Sequence, residues 1–107
     1  MPKQTDSFPD RIRNLPPFEG PFDAMRLAAD GCEVLFASYP AGTSIESHQH
    51  ETDNCGVITK GELYLTTNDV ETRFGPGDWY QIAPEQEHSA RFEVETSEIE
   101  FWFSVTR

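Results

Sequence analysis

Three histidines, His48, His50 and His88, are all the imidazole this chain possesses, and they fall in two short stretches. Imidazole is the commonest protein ligand for zinc, iron, nickel and copper, so the first question is whether these rings meet. His48 and His50 stand two apart; on a β-strand both rings lie on one face, within reach of one ion. That spacing is the strand counterpart of the i, i+4 histidine pair on a metalloprotease helix. His88 opens the segment His88–Val94, in which Ala90, Phe92 and Val94 share its parity. Alternation therefore turns its ring inward with the apolar set, where both nitrogens need partners. A His-x-His pair alone is most often a surface feature. A third inward histidine, flanking glycine turns and an all-β background favour a metal site.

The elements that must position these rings are strands. Ile99, Phe101, Phe103 and Val105 alternate with Glu98, Glu100, Trp102, Ser104 and Thr106. Period two assigns the first set to a core and the second to the outside. Leu63 and Leu65 mark a strand near 62–67 with Tyr64 facing away. Asn68-Asp69 reads as a hairpin turn into Val70–Phe74, and Gly75-Pro76-Gly77-Asp78 as another turn. Earlier strands are expected near Ala24–Ala28 and Glu33–Tyr39, parted by Asp30-Gly31. No amphipathic helix of three turns is apparent. Many short strands with regular turns predict an all-β sandwich or barrel over residues 22–107. Residues 1–21 hold five of the eight prolines and read as an extended arm. Phe8, Leu15 and Phe18 in that arm suit either a loose tail or an arm packed on the barrel or on a partner subunit.

Composition removes several functions. The 107 residues suit one domain, and the formal charge of −11 repels phosphate backbones and anionic lipid, which argues against nucleic acid and membrane as partners. No apolar run approaches the ~20 residues of a membrane span. The N-terminus lacks the apolar stretch of a signal peptide, and Cys32 and Cys55 are too few for a disulfide framework, so a cytoplasmic protein with free thiols is expected.

The two histidine segments resemble the two motifs of the cupin superfamily. The first, G-x5-H-x-H-x3/4-E-x6-G, is matched by Gly42, His48, His50 and Gly61. The second, a Gly-Asp turn, a strand, a proline and then a histidine, is matched by Gly77-Asp78, Pro84 and His88. Gln86 stands where a glycine is usual, His88 follows Pro84 by four residues rather than five, and the asparagine that often follows is missing. The resemblance spans about 24–106. It implies a double-stranded β-helix, or jelly-roll, barrel holding one divalent transition metal ion (Fe, Ni, Mn or Zn) through His48, His50 and His88.

The family's glutamate is Asn54 here. Asparagine offers only a neutral, weaker amide oxygen. Three arrangements compete: Asn54 in the shell as a ligand or on a bound water, a three-histidine site with open positions, or replacement by Glu46 or Glu51. Three neutral imidazoles leave the ion its full +2, which should draw an anionic ligand. A phosphorylated sugar is disfavoured, because Arg73 and Arg91 take outward parity. The resulting expectation is a metal-binding cupin, an enzyme on a small anionic organic molecule, with oxygenase chemistry slightly favoured over isomerase or lyase chemistry. Glu46, Tyr64 and Tyr80 are its candidate acid–base groups. A non-catalytic metal or small-molecule binding cupin is the alternative, and a substrate-sized cavity beside the metal discriminates the two. The acids from Glu93 to Glu100 read as a solvated face. An outward Trp102, with family habit, points to a homodimer.

Overall fold

A computed structural model describes residues 8–105. Nine strands follow one short helix: α1 Asp10–Arg13, β1 Asp23–Ala29, β2 Cys32–Tyr39, β3 Ser44–His48, β4 Asp53–Lys60, β5 Leu63–Thr67, β6 Val70–Phe74, β7 Trp79–Ile82, β8 His88–Arg91 and β9 Thr96–Phe103. They form a five-stranded sheet ordered β1-β2-β9-β4-β7 and a four-stranded sheet ordered β3-β8-β5-β6. Among the described residues every strand pairing is antiparallel, and the two sheets close on each other as a jelly-roll barrel. Asn68 and Asp69 both take positive φ, 49° and 64°, the conformation a two-residue hairpin demands.

The core lies between the sheets. Leu35, Ala37, Tyr39, Ile58, Leu63, Leu65, Tyr80, Ile82 and Phe92 are buried there, so the inward direction expected of Leu63 and Leu65 holds. Gly56 has a specific task. A Cβ on it would come within 2.5 Å of the Tyr80 ring, so only glycine lets that tyrosine cross the sheet.

The last strand reverses the expected assignment. Glu98 and Glu100 are 2% and 6% exposed and face the barrel interior, as does Trp102. Ile99 packs outside, against Phe8, Met25 and Phe36, while Phe101 stacks on Trp79 and Phe103. Alternation was right and its sign was wrong. The inner carboxyls find buried hydroxyl partners, and the outer apolar side chains are partly roofed by the arm. Val105 is exposed beyond the strand end, and Thr106 lies outside the described residues. Val94 also departs from its expected inward place: β8 ends at Arg91, and the chain turns Val94 out.

The described part of the arm is tied down; its first seven residues lie outside the description. It is not wholly extended, since Asp10–Arg13 form one helical turn with an Arg13–Asp10 ion pair. Phe8 packs edge-on to Phe36 with centroids 5.8 Å apart, and Ile12 and Leu15 join the same outer cluster. Pro17 bridges Met25, and Phe18 N–H donates to Ala24 O at 2.9 Å, adding a short edge to β1.

Candidate metal centre

β3 and β8 bring the histidines together, and a bulge decides how. Ser44 pairs Arg91 and Ile45 pairs Ala90, but His48 pairs His88, one residue out of register. The extra residue lets both Ile45 and His48 point inward although they are three apart. It also breaks the parity that Glu46 nominally shares with His48. Beyond the strand end, His50 is held by Glu85, whose N–H donates to His50 O at 2.7 Å.

The three rings form a triangle. Centroid separations are 4.3 Å for His48–His88, 4.7 Å for His48–His50 and 5.1 Å for His50–His88. One ligand nitrogen from each lies within 4.8 Å of the others. The Nε2 atoms of His48 and His50 are 3.1 Å apart. Two nitrogens about 2.1 Å from one ion, at cis or tetrahedral angles, would be ~3.0–3.4 Å apart, so the pair fits a shared cation. Tautomers fit as well. His48 Nδ1–H donates to Glu46 O at 2.7 Å, and His88 Nδ1–H to Gln86 O at 2.9 Å. Both bonds leave an Nε2 lone pair for a metal, as ligating histidines require. Burial, then the neighbouring imidazoles, lowers His50 to about 4, and burial lowers His88, which favours the neutral, ligating form of both rings.

Gln86 accounts for the departures in the second motif. Its side-chain oxygen accepts Ala83 N–H at 3.0 Å, its own N–H donates to Ala83 O, and its carbonyl anchors His88. The loop thus closes on a side chain where a glycine turn is usual.

All three histidines open on one cavity of about 640 Å³. Asn54, buried on β4, lines it too; Thr52 Oγ1 donates to its Oδ1 at 2.6 Å, leaving that oxygen a second lone pair. Cys55 takes the opposite face, and burial raises its thiol, against a ligand role. Tyr80 lines the cavity. Tyr64 does not; it lies outside under the Arg91 guanidinium, 4.2 Å from the ring centroid. Glu46 sits exposed at the rim and serves the site through its carbonyl. Arg91 pairs with Glu71 and Glu93, and Arg73 with Glu62, on the outer surface. Among the described residues no lysine or arginine lines the cavity.

Sequence reasoning missed the cavity's acids. Glu98 accepts from Tyr80 OH; Glu100 accepts from Tyr39 OH at 2.5 Å and from Trp102 Nε1–H at 3.0 Å. Glu98 and Glu100 stand two apart on the inner face of β9, so their carboxyls are neighbours in the cavity lining. Burial raises both, and the Glu100 charge pushes Glu98 further, well above the usual carboxylate range. Burial, and then these carboxyls, raise Tyr39 and Tyr80 well above 10, so both remain donors. The signal that would have found the pair is two tyrosines on β2 and β7, the first beside β9 and the second reaching across Gly56 of β4, whose hydroxyls need buried acceptors.

Residues 35–105 match the cupin domain family. The chain belongs to the cupin family. H2HPP isomerase of Bacillus subtilis is 35% identical over 68 residues, which are 63% of this chain and 29% of that protein. The cupin therefore spans less than a third of that relative's length. Among solved structures, a cupin superfamily protein from Desulfitobacterium hafniense superposes with a TM-score of 0.72 at 19% identity, covering 77% of this cupin and 76% of that chain. KdgF from a Halomonas species gives 0.71 at 19% identity, with 79% and 80% covered. These likenesses establish the fold.

Proposed function

We propose that this cupin is a metal-dependent enzyme that moves a proton on a small anionic organic molecule, isomerase or lyase chemistry. One observation carries the reading: three converging imidazoles and two neighbouring buried carboxyls, Glu98 and Glu100, line the same cavity. A divalent transition ion at His48, His50 and His88, with Asn54 as ligand or water partner, would supply an electrophile that binds an anion and acidifies the adjacent C–H. The chain supplies the proton chemistry. In this reading Glu100 is the ionised member and accepts a proton from carbon; Glu98 returns its own to a second position, and the pair ends with the one proton it began with. Tyr39, Tyr80 and Trp102 hold the carboxyls in place. The substrate-sized cavity favours an enzyme over a purely binding protein. The likeness to a protein named as an isomerase adds support. Oxygenation is the second reading, favoured by the open positions that a three-histidine face leaves. Exposed Leu27, Trp79 and Phe103 on the outer face of the five-stranded sheet, rather than Trp102, would carry a homodimer; a monomer by light scattering ends that part.

Two measurements test the reading. Untagged protein loaded with Fe, Ni, Mn or Zn should retain near-stoichiometric metal, and His88→Ala should lower the affinity by more than about a hundredfold. The loaded protein should then exchange C–H for C–D in D2O on a panel of small enolisable carboxylates, by NMR. Failure to retain metal overturns the proposal. Retained metal with oxygen uptake and no exchange replaces proton transfer by oxygenation.

A further inference from the structure

Part of the cavity lining is built of aromatic rings, and two of them, Phe18 and Phe22, come from the segment just before β1. Phe18 stacks on Phe22 with centroids 5.0 Å apart, Phe22 meets Tyr39 at 5.3 Å, and Tyr39 stacks on Phe92 at 4.2 Å with planes only 8° apart. In the other direction Phe18 meets Trp102 at 6.1 Å, and Trp102 meets His50 at 4.9 Å. The series starts at a candidate metal ligand, and all its members line that cavity.

We propose that Phe18 and Phe22 are specificity-determining residues, and that the cavity takes an anion carrying a planar unsaturated ring. This rests on the metal reading above and names the substrate class for it. Charge is the first reason. With no lysine or arginine in the lining among the described residues, a ligand's negative charge can be balanced only at the histidine end, so the rest of the ligand carries no second anionic group. Ring chemistry is the second. Partly buried Phe18, Phe22 and Trp102 offer faces and edges to a guest ring, the geometry aromatic pairs prefer. Volume is the third: about 640 Å³ falls mid-range for sites that enclose a ring-bearing ligand and is generous for a carboxylate of a few carbons. The wall is also fixed in place. Phe18 N–H bonds Ala24 O, and Arg26 N–H bonds Pro16 O at 2.8 Å, on either side of the Pro17–Met25 bridge. Gly20 leaves the space that the Phe18 ring occupies, because a Cβ there would overlap it.

Two hydroxamates that share a chelating head and differ by one ring isolate this contribution. Calorimetry on the full-length, zinc-loaded protein should find benzohydroxamate at least about tenfold tighter than acetohydroxamate. The double variant Phe18→Leu/Phe22→Leu, which keeps apolar bulk, and Gly20→Ala, which displaces the Phe18 ring, should each erase most of that gain. Zinc and acetohydroxamate affinities should stay within about twofold in both. Equal affinity for the two hydroxamates, or a ring preference that survives both variants, overturns the role of Phe18 and Phe22 while the metal reading stands. Absence of zinc or acetohydroxamate binding to the wild-type protein removes the metal reading and this proposal together.

Discussion

The two faces of the five-stranded sheet invert the usual distribution of polarity along β9. Its inner face presents Glu98, Glu100 and Trp102 to the cavity, and its outer face presents Ile99, Phe101 and Phe103. Carboxyls sit inside because Tyr39, Tyr80 and Trp102 donate to them and because burial raises both, favouring their uncharged forms. Apolar side chains are tolerated outside because Phe8, Ile12 and Leu15 cover part of that face. Alternation therefore marks two faces without saying which is the core. Hydrogen-bond partners on other strands of the sheet decide the sign.

Variants of the two faces separate these roles. The largest loss is expected inside. Leu35, fully buried, neighbours Glu100 across the β2–β9 pairing, and Leu35→Ala should cost about 2–5 kcal/mol by chemical denaturation. A loss below ~1 kcal/mol would mean that the cavity side is not a packed core. Tyr80→Phe should cost about 1–3 kcal/mol, because it strips a buried carboxyl of its donor. An unchanged midpoint would show that Glu98 is satisfied some other way.

The pH dependence sharpens the comparison further. Glu98 and Glu100 titrate higher folded than unfolded, so the folded state holds the extra proton. Their contribution to stability is complete below the ordinary carboxylate range and is lost as pH rises through the raised folded values. Glu98→Gln keeps a hydrogen-bond donor without a titrating proton. It should flatten the decline in Tm with rising pH and melt above wild type at pH 8; parallel Tm curves for the two proteins would refute the raised Glu98 carboxyl. The smallest effect is expected at Val94, which shares nominal parity with buried Phe92 yet is 45% exposed. Val94→Ser should change stability by less than about 0.5 kcal/mol, and a core-sized loss there would restore the strict alternation that the fold abandons.

Much of the site was legible because it is local. The i, i+2 spacing of His48 and His50 and the inward parity of His88 depend on a few residues of chain, as do the turns at 68–69 and 75–78. The bulge between Ile45 and His48 was not legible, since an extra residue in a strand is defined only against its partner. The acids on β9 were misassigned for the same reason: their partners come from β2 and β7, far away in sequence. Phe18 was seen as an apolar residue in an arm, without sign that it would wall the cavity.

By itself the sequence determined the all-β class, the family pattern, the three imidazoles and the asparagine that leaves them without a carboxylate. Tertiary structure alone decided which face of β9 is interior, that Glu98 and Glu100 share the histidines' cavity, and that the arm completes it. The physical reason is that period and spacing are properties of one strand, whereas burial, side-chain hydrogen bonding and ring stacking are properties of pairs that only folding brings together.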